Sequence, residues 1–234
     1  MSSARSSKFQ QALTLLAGLL ILKVTVAVVL GYRNYFPPNF NADFLRGREG
    51  YFFAGYQWPF YMHIASGPVS LVLGTMLVSE RFRLRFPKWH GYLGRIQVAG
   101  ILLLVSPSGL WMAYYAQAGT VAAVSFALLA ILTAACAALG WRAALQRRFA
   151  VHRRWMSRCY LLLCSAVALR LMGGLATVSG VSAPWFDPLA SWACWVLPLA
   201  VYELSQWANR RKGSSVVVAR NRNERAALVG RQVG

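Results

Sequence analysis

Two cations stand inside apolar runs. Lys23 and Arg170 each lie about eleven residues from the basic end of their run, which at about 1.5 Å per residue places both roughly 16 Å deep. A central Lys or Arg costs about 2.5–3.5 kcal/mol on insertion scales, so such residues pair or face water. The acids are badly placed for pairing: Glu80 and Glu203 sit toward one edge, Asp187 toward the other. One reading is a polar cavity that receives an anionic group, such as a propionate, a lipid phosphate or a substrate carboxylate. The other is that backbone carbonyls and snorkelling satisfy both cations. His63 falls about 7 Å below the opposite edge by helical rise and joins Lys23 and Arg170 as a candidate ligand-binding residue. Helix breakers occur at similar depth: Pro68 after Ser66-Gly67, the run Ser106-Pro107-Ser108-Gly109, and Pro198. Broken helices at the midplane line binding sites in transporters, although proline is tolerated in membrane helices generally.

His90 and His152 form the second candidate group, with Arg95 and Arg158 close in sequence. Histidines on facing helices can ligate haem iron, which makes haem b the cofactor to test for. The same residues, set among arginines and beside Trp89 and Trp155, could instead grip phospholipid headgroups. No catalytic residue and no metal ligand is assigned. Gly-rich phosphate loops, Ser-His-Asp arrangements and metal-ligand runs are missing, and six acids are too few and scattered for paired-carboxylate catalysis. Cys136, Cys159, Cys164 and Cys194 all lie in apolar stretches, with no Cys-x-x-Cys pair, and read as small apolar residues.

The elements that must position these groups are apolar helices. Apolar residues make up 57% of the 234-residue chain and charged residues 13%, against about 25% charged in soluble domains. Six spans are expected, near 12–31, 58–79, 96–115, 120–141, 159–178 and 187–207. The first resembles a signal peptide at its start but runs on to Leu30 without a convincing cleavage site, so it reads as a retained helix. The net charge of +19 could suggest nucleic acid. Its distribution argues against that: twenty Lys and Arg fall in the N-terminus, the second and fourth inter-span loops and the tail, and only Arg33, Arg46 and Arg48 in the other loops. That bias predicts both termini in the cytoplasm and an even span count, in a bacterial inner membrane. The expected organisation is a cytoplasmic N-terminus over 1–11, a six-helix domain over 12–209 with an outer loop over 32–57, and a basic tail over 210–234. The tail is expected to be disordered or to rest on anionic phospholipid at the cytoplasmic face. In the outer loop, Tyr32, Tyr35, Phe36, Tyr51, Tyr56 and Trp58 read as an interfacial belt or as a lid over an outer opening.

Residues 85–95 and 148–158 echo each other. Both start Arg-Phe, hold one His near the centre and end in Arg, which suggests a repeat of helix pairs two–three and four–five. His63-Ile64-Ala65-Ser66-Gly67, then Trp89-His90-Gly91-Tyr92-Leu93-Gly94-Arg95, then His152 through Tyr160, then Leu169-Arg170-Leu171 together resemble the DUF2306 group of bacterial multi-pass membrane proteins. The resemblance covers about residues 58–172 and implies an all-α polytopic fold. That family's function is unknown, so it supplies no catalytic residues. Three readings of function stay open: a membrane redox component binding haem or quinone, a small transporter or anion- or lipid-binding protein, and a non-catalytic scaffold or accessory subunit.

Overall fold

Long apolar runs with few interior charges leave the backbone one way to satisfy its N–H and C=O groups in lipid, and the chain takes it. The computed structural model describes residues 2–42, 44–181 and 183–232, with side chains from 15 to 211 except 43 and 182. Asp43 of the expected outer loop, the side chains of Arg5 and Lys8, and those of the tail from Lys212 onward lie outside the described residues. The helices are α1 (Ser2–Gly31), α2 (Glu49–Val78), the short α3 (Glu80–Arg85), α4 (Pro87–Tyr114), α5 (Gly119–Leu145), α6 (Phe149–Val178) and α7 (Phe186–Gln232). No β-strand occurs among the described residues. The protein is all-α and polytopic.

Five of these helices are long and apolar enough to cross a membrane: α1 from Leu15, α2, α4, α5 and α6. The sixth expected span, 187–207, is helical within α7 but is not among the five. Asp187, Glu203, two prolines and three tryptophans lower its hydropathy. The outward surfaces of the five suit lipid, where apolar side chains need no burial. Leu16, Leu19 and Leu30 on α1 are each more than 60% exposed.

Two units divide the chain, Met1–Trp195 and Val196–Gly234. The second carries the rest of α7, including Pro198, and places the Arg211 guanidinium 3.7 Å from the Trp207 ring centroid. The expected tail falls on this part of α7 as far as Gln232, with residues 233–234 outside the described residues.

Helices begin earlier than hydropathy suggests. α4 starts at Pro87, whose fixed φ and missing N–H suit a first helical turn, and α6 starts at Phe149. Most of both echo segments is therefore helix rather than loop. The outer loop likewise gives way to helix at Glu49. That first turn of α2 bends through Ala54 and Gly55, the latter at φ +111, a backbone state open to glycine.

Within the first unit, buried polar contacts lock the helices in register. Gln97 Nε2 donates to the Ser70 carbonyl at 2.8 Å, joining α4 to α2. Thr75 and Tyr160 share a hydroxyl bond of 2.9 Å between α2 and α6. Ser125 Oγ donates to the Ser191 carbonyl at 2.7 Å and accepts from Trp195 Nε1 at 3.0 Å, tying α5 to the start of α7. Residues 32–42 and 44–48 and the bent start of α2 fold into an aromatic cap. Leu45, Phe52, Tyr56 and Phe60 are at most 2% exposed there, packed with Tyr35, Tyr51, Tyr61 and Tyr115. Each such side chain contributes about 1.5–3 kcal/mol by leaving water. Of the aromatics expected at an interface, Tyr56 is thus buried, while Phe36 and Trp58 are exposed.

Candidate ligand cavity

A cavity of about 580 Å³ opens in the first unit, at the end of the bundle where α1 stops and α7 begins. Val24, Val28, Leu71, Val105, Leu129, Leu162 and Leu163 give it apolar walls, and the cap residues Tyr35, Phe44, Arg48 and Tyr56 line one side. A few polar groups project into it, the pattern of a ligand site.

His63 is one of them. Its Nδ1 lies 3.1 Å from Ser108 Oγ on α4. Ser108 has a single proton, and its Oγ is placed to donate it to the carbonyls of Leu104 and Val105. The serine therefore accepts from His63 Nδ1, and the ring also meets the Val105 backbone. Local backbone explains the placement. A π-turn over Ile101–Val105 precedes Pro107 and shifts the helical register by one residue, aiming Ser106, Ser108 and Gly109 inward. A Cβ at position 109 would meet His63 Cε1 at 3.2 Å, so any larger residue would press the ring away by a few tenths of an ångström.

Arg170 lines the same cavity from α6. Its guanidinium makes one long contact, Nη1 to the Ala166 carbonyl at 3.4 Å, and lies within electrostatic reach of Tyr32 and His63. Lys23 does not line the cavity and is exposed on α1. The structure thus joins Arg170 with His63 and separates both from Lys23.

A second cation comes from the cap. Arg48 is 5% exposed. Its Nε donates to the Phe44 carbonyl at 2.8 Å, and its Nη1 donates to Tyr51 Oη at 3.0 Å and to the Tyr115 carbonyl at 2.9 Å. The guanidinium carbon sits 4.7 Å from the Phe44 ring centroid and 5.2 Å from that of Tyr56, distances of cation–π attraction. Neither Arg48 nor Arg170 has a carboxylate at ion-pair distance among the described residues. Asp187 lines the cavity without reaching either. Two hydroxyls in the lining, Tyr56 Oη and Ser106 Oγ, are buried with no hydrogen-bond partner. Arg48 and Tyr56 escaped the sequence reading as site residues. The available signal was an arginine spaced four residues after Phe44 and three before Tyr51, one helical turn from each.

Residues 60–206, more than half of the chain, match the family described as "Predicted membrane protein (DUF2306)". The chain belongs to the DUF2306 family. No curated protein and no solved structure matches it. The DUF2306 region contains His63, Ser106 and Arg170, whereas Lys23, Arg48 and Tyr56 precede it.

His90 and His152 sit at the other end of the DUF2306 bundle, outside the cavity. Each closes the first turn of its helix, His90 N–H to the Phe86 carbonyl and His152 N–H to the Arg148 carbonyl, both at 2.9 Å. The two rings are within electrostatic reach of each other. His152 Nδ1 donates to the Gly140 carbonyl at 2.9 Å, and His90 Nδ1 is buried without a partner. Arg158 lies over the Trp155 ring at 4.8 Å, and Arg95 is exposed. Neither this geometry nor the family match supports haem or quinone at the pair. No cluster of three or more metal-ligating side chains occurs among the described residues.

Proposed function

We propose that this protein is a small transporter or binding protein for an anionic amphiphile, held in the cavity at the outer end of a six-span, N-in/C-in bundle of a bacterial inner membrane. The observation that carries this reading is that Arg170 and Arg48 both line one apolar cavity with no carboxylate at ion-pair distance among the described residues. A guanidinium at membrane depth is costly alone and complemented by an anion. The outer placement follows from charge. The cavity end carries only Arg33, Arg46 and Arg48 among loop cations, and the other end carries the rest. The sixth crossing is α7 from Phe186, which the even count requires. The arginine-rich end with His90, Arg95, His152 and Arg158, and the basic tail, rest on anionic phospholipid at the cytoplasmic face.

Equilibrium binding of a radiolabelled alkyl carboxylate to the protein in zwitterionic nanodiscs tests this, with empty nanodiscs subtracted. Arg170→Gln lowers affinity roughly tenfold or more, the equivalent of one charge-assisted hydrogen bond. Lys23→Gln, outside the cavity, leaves affinity unchanged. Equal binding by wild type and Arg170→Gln would sink the proposal.

A further inference from the structure

Resting on that reading, the cavity's size and charge narrow the ligand further. We infer that the site takes one single-chain monoanion, a long-chain carboxylate or a single-chain phosphate, and rejects two-chain phospholipids. Three observations converge. The first is volume. About 580 Å³ lies within the range of about 300–1,000 Å³ of pockets that enclose one small ligand, and suits a single alkyl chain with its head. A two-chain lipid needs about twice that. The second is charge. The lining holds two guanidiniums, Arg48 and Arg170, and one carboxylate, Asp187, so with His63 neutral it is complemented by a single negative charge. The third is unmet hydrogen bonding. Tyr56 and Ser106 are 2% and 7% exposed, both line the cavity, and both hydroxyls lack partners. Buried hydroxyls are ordinarily satisfied, and an anionic head brings acceptor oxygens to the cavity that these two residues line. The walls below Arg170, formed by Leu71, Leu129 and Leu162, match a hydrocarbon tail.

Native mass spectrometry of the detergent-purified protein, with equimolar hexadecanoate and dioleoyl phosphatidylglycerol added, reads the choice directly. The expected result is a 1:1 hexadecanoate adduct at least about tenfold more abundant than the lipid adduct, and reduced about tenfold in Arg170→Gln. A single-chain acid or lysophospholipid already bound on purification would also support the inference, and its mass tells the two sources apart. A preference for phosphatidylglycerol that Arg170→Gln abolishes would overturn the single-chain inference while leaving the anion reading intact. Absence of any adduct dependent on Arg170, or retention of a neutral or cationic molecule, would overturn both. Tyr56→Phe gives a second reading that needs no charge change: it weakens the hexadecanoate adduct, and an unchanged adduct counts against head contact in the cap.

Discussion

Ser106 and Tyr56 carry hydroxyls that cost stability while the cavity is empty, because a buried unpaired polar group forfeits its water at about 1–3 kcal/mol. Their removal therefore has opposite effects on two measurements. Ser106→Ala and Tyr56→Phe should hold or raise the ligand-free unfolding temperature, by up to about 1 kcal/mol of stability, and should shrink the further rise on adding ligand. Thermal unfolding in detergent with and without hexadecanoate reads both. A marked fall in ligand-free stability for both variants would mean the hydroxyls are satisfied after all. Depth was legible at this scale and direction was not. Lys23 and Arg170 share a depth in the sequence, but which way each faces depends on neighbours far along the chain, and only Arg170 turns to the cavity. Arg48 was marked in the sequence only by its spacing to Phe44 and Tyr51, because Tyr56 and Tyr115 complete its environment from farther along the chain.

Proline does specific work between elements. Pro68 has no N–H, so the Ile64 carbonyl one turn earlier loses its helical donor. Tyr32, just past the end of α1, supplies one, with its hydroxyl 2.8 Å from that oxygen. This bond pins α1 to α2 beside the cavity and predicts a non-additive pair. Tyr32→Phe should destabilise by about 1–3 kcal/mol, since it strands a carbonyl in an apolar setting. With Ala at position 68 the helix bonds that oxygen itself, and the same Tyr32→Phe change should cost much less. A double-mutant cycle of unfolding free energies checks this, and strict additivity would contradict it. The spans of α2, α5 and α6 were readable from hydropathy because apolar runs end where charge begins. The early starts of α4 and α6 were not, because their first turns are polar and basic. The starts of the two helices fall one residue apart in the proposed repeat, which aligns Phe86 with Phe149. Phe86 and Arg148 both cap a helix whose fifth residue, counting the cap, is histidine.

For the whole molecule, the asymmetry of twenty loop cations against three predicts an orientation for the bundle. C-terminal fusions should report a cytoplasmic tail, with a cytoplasm-active reporter on and a periplasm-active one off. The reverse pattern would mean either that α7 does not cross, which leaves five spans and moves the tail alone, or that the bundle is inverted, which moves the cavity and both termini. The fold class was legible throughout, since composition alone requires helices in lipid. The cavity was not, because it arises from the joint placement of a folded cap and the ends of six helices. The most direct measurement is competition for the bound alkyl carboxylate in nanodiscs by head groups of opposite charge on the same chain. Hexadecyl sulfonate should displace it from wild type and lose most of that ability against Arg170→Gln, while hexadecyl trimethylammonium should not compete. Equal displacement by the cation would mean that the cavity recognises only the hydrocarbon chain, and that Arg48 and Arg170 do not recognise the ligand's charge.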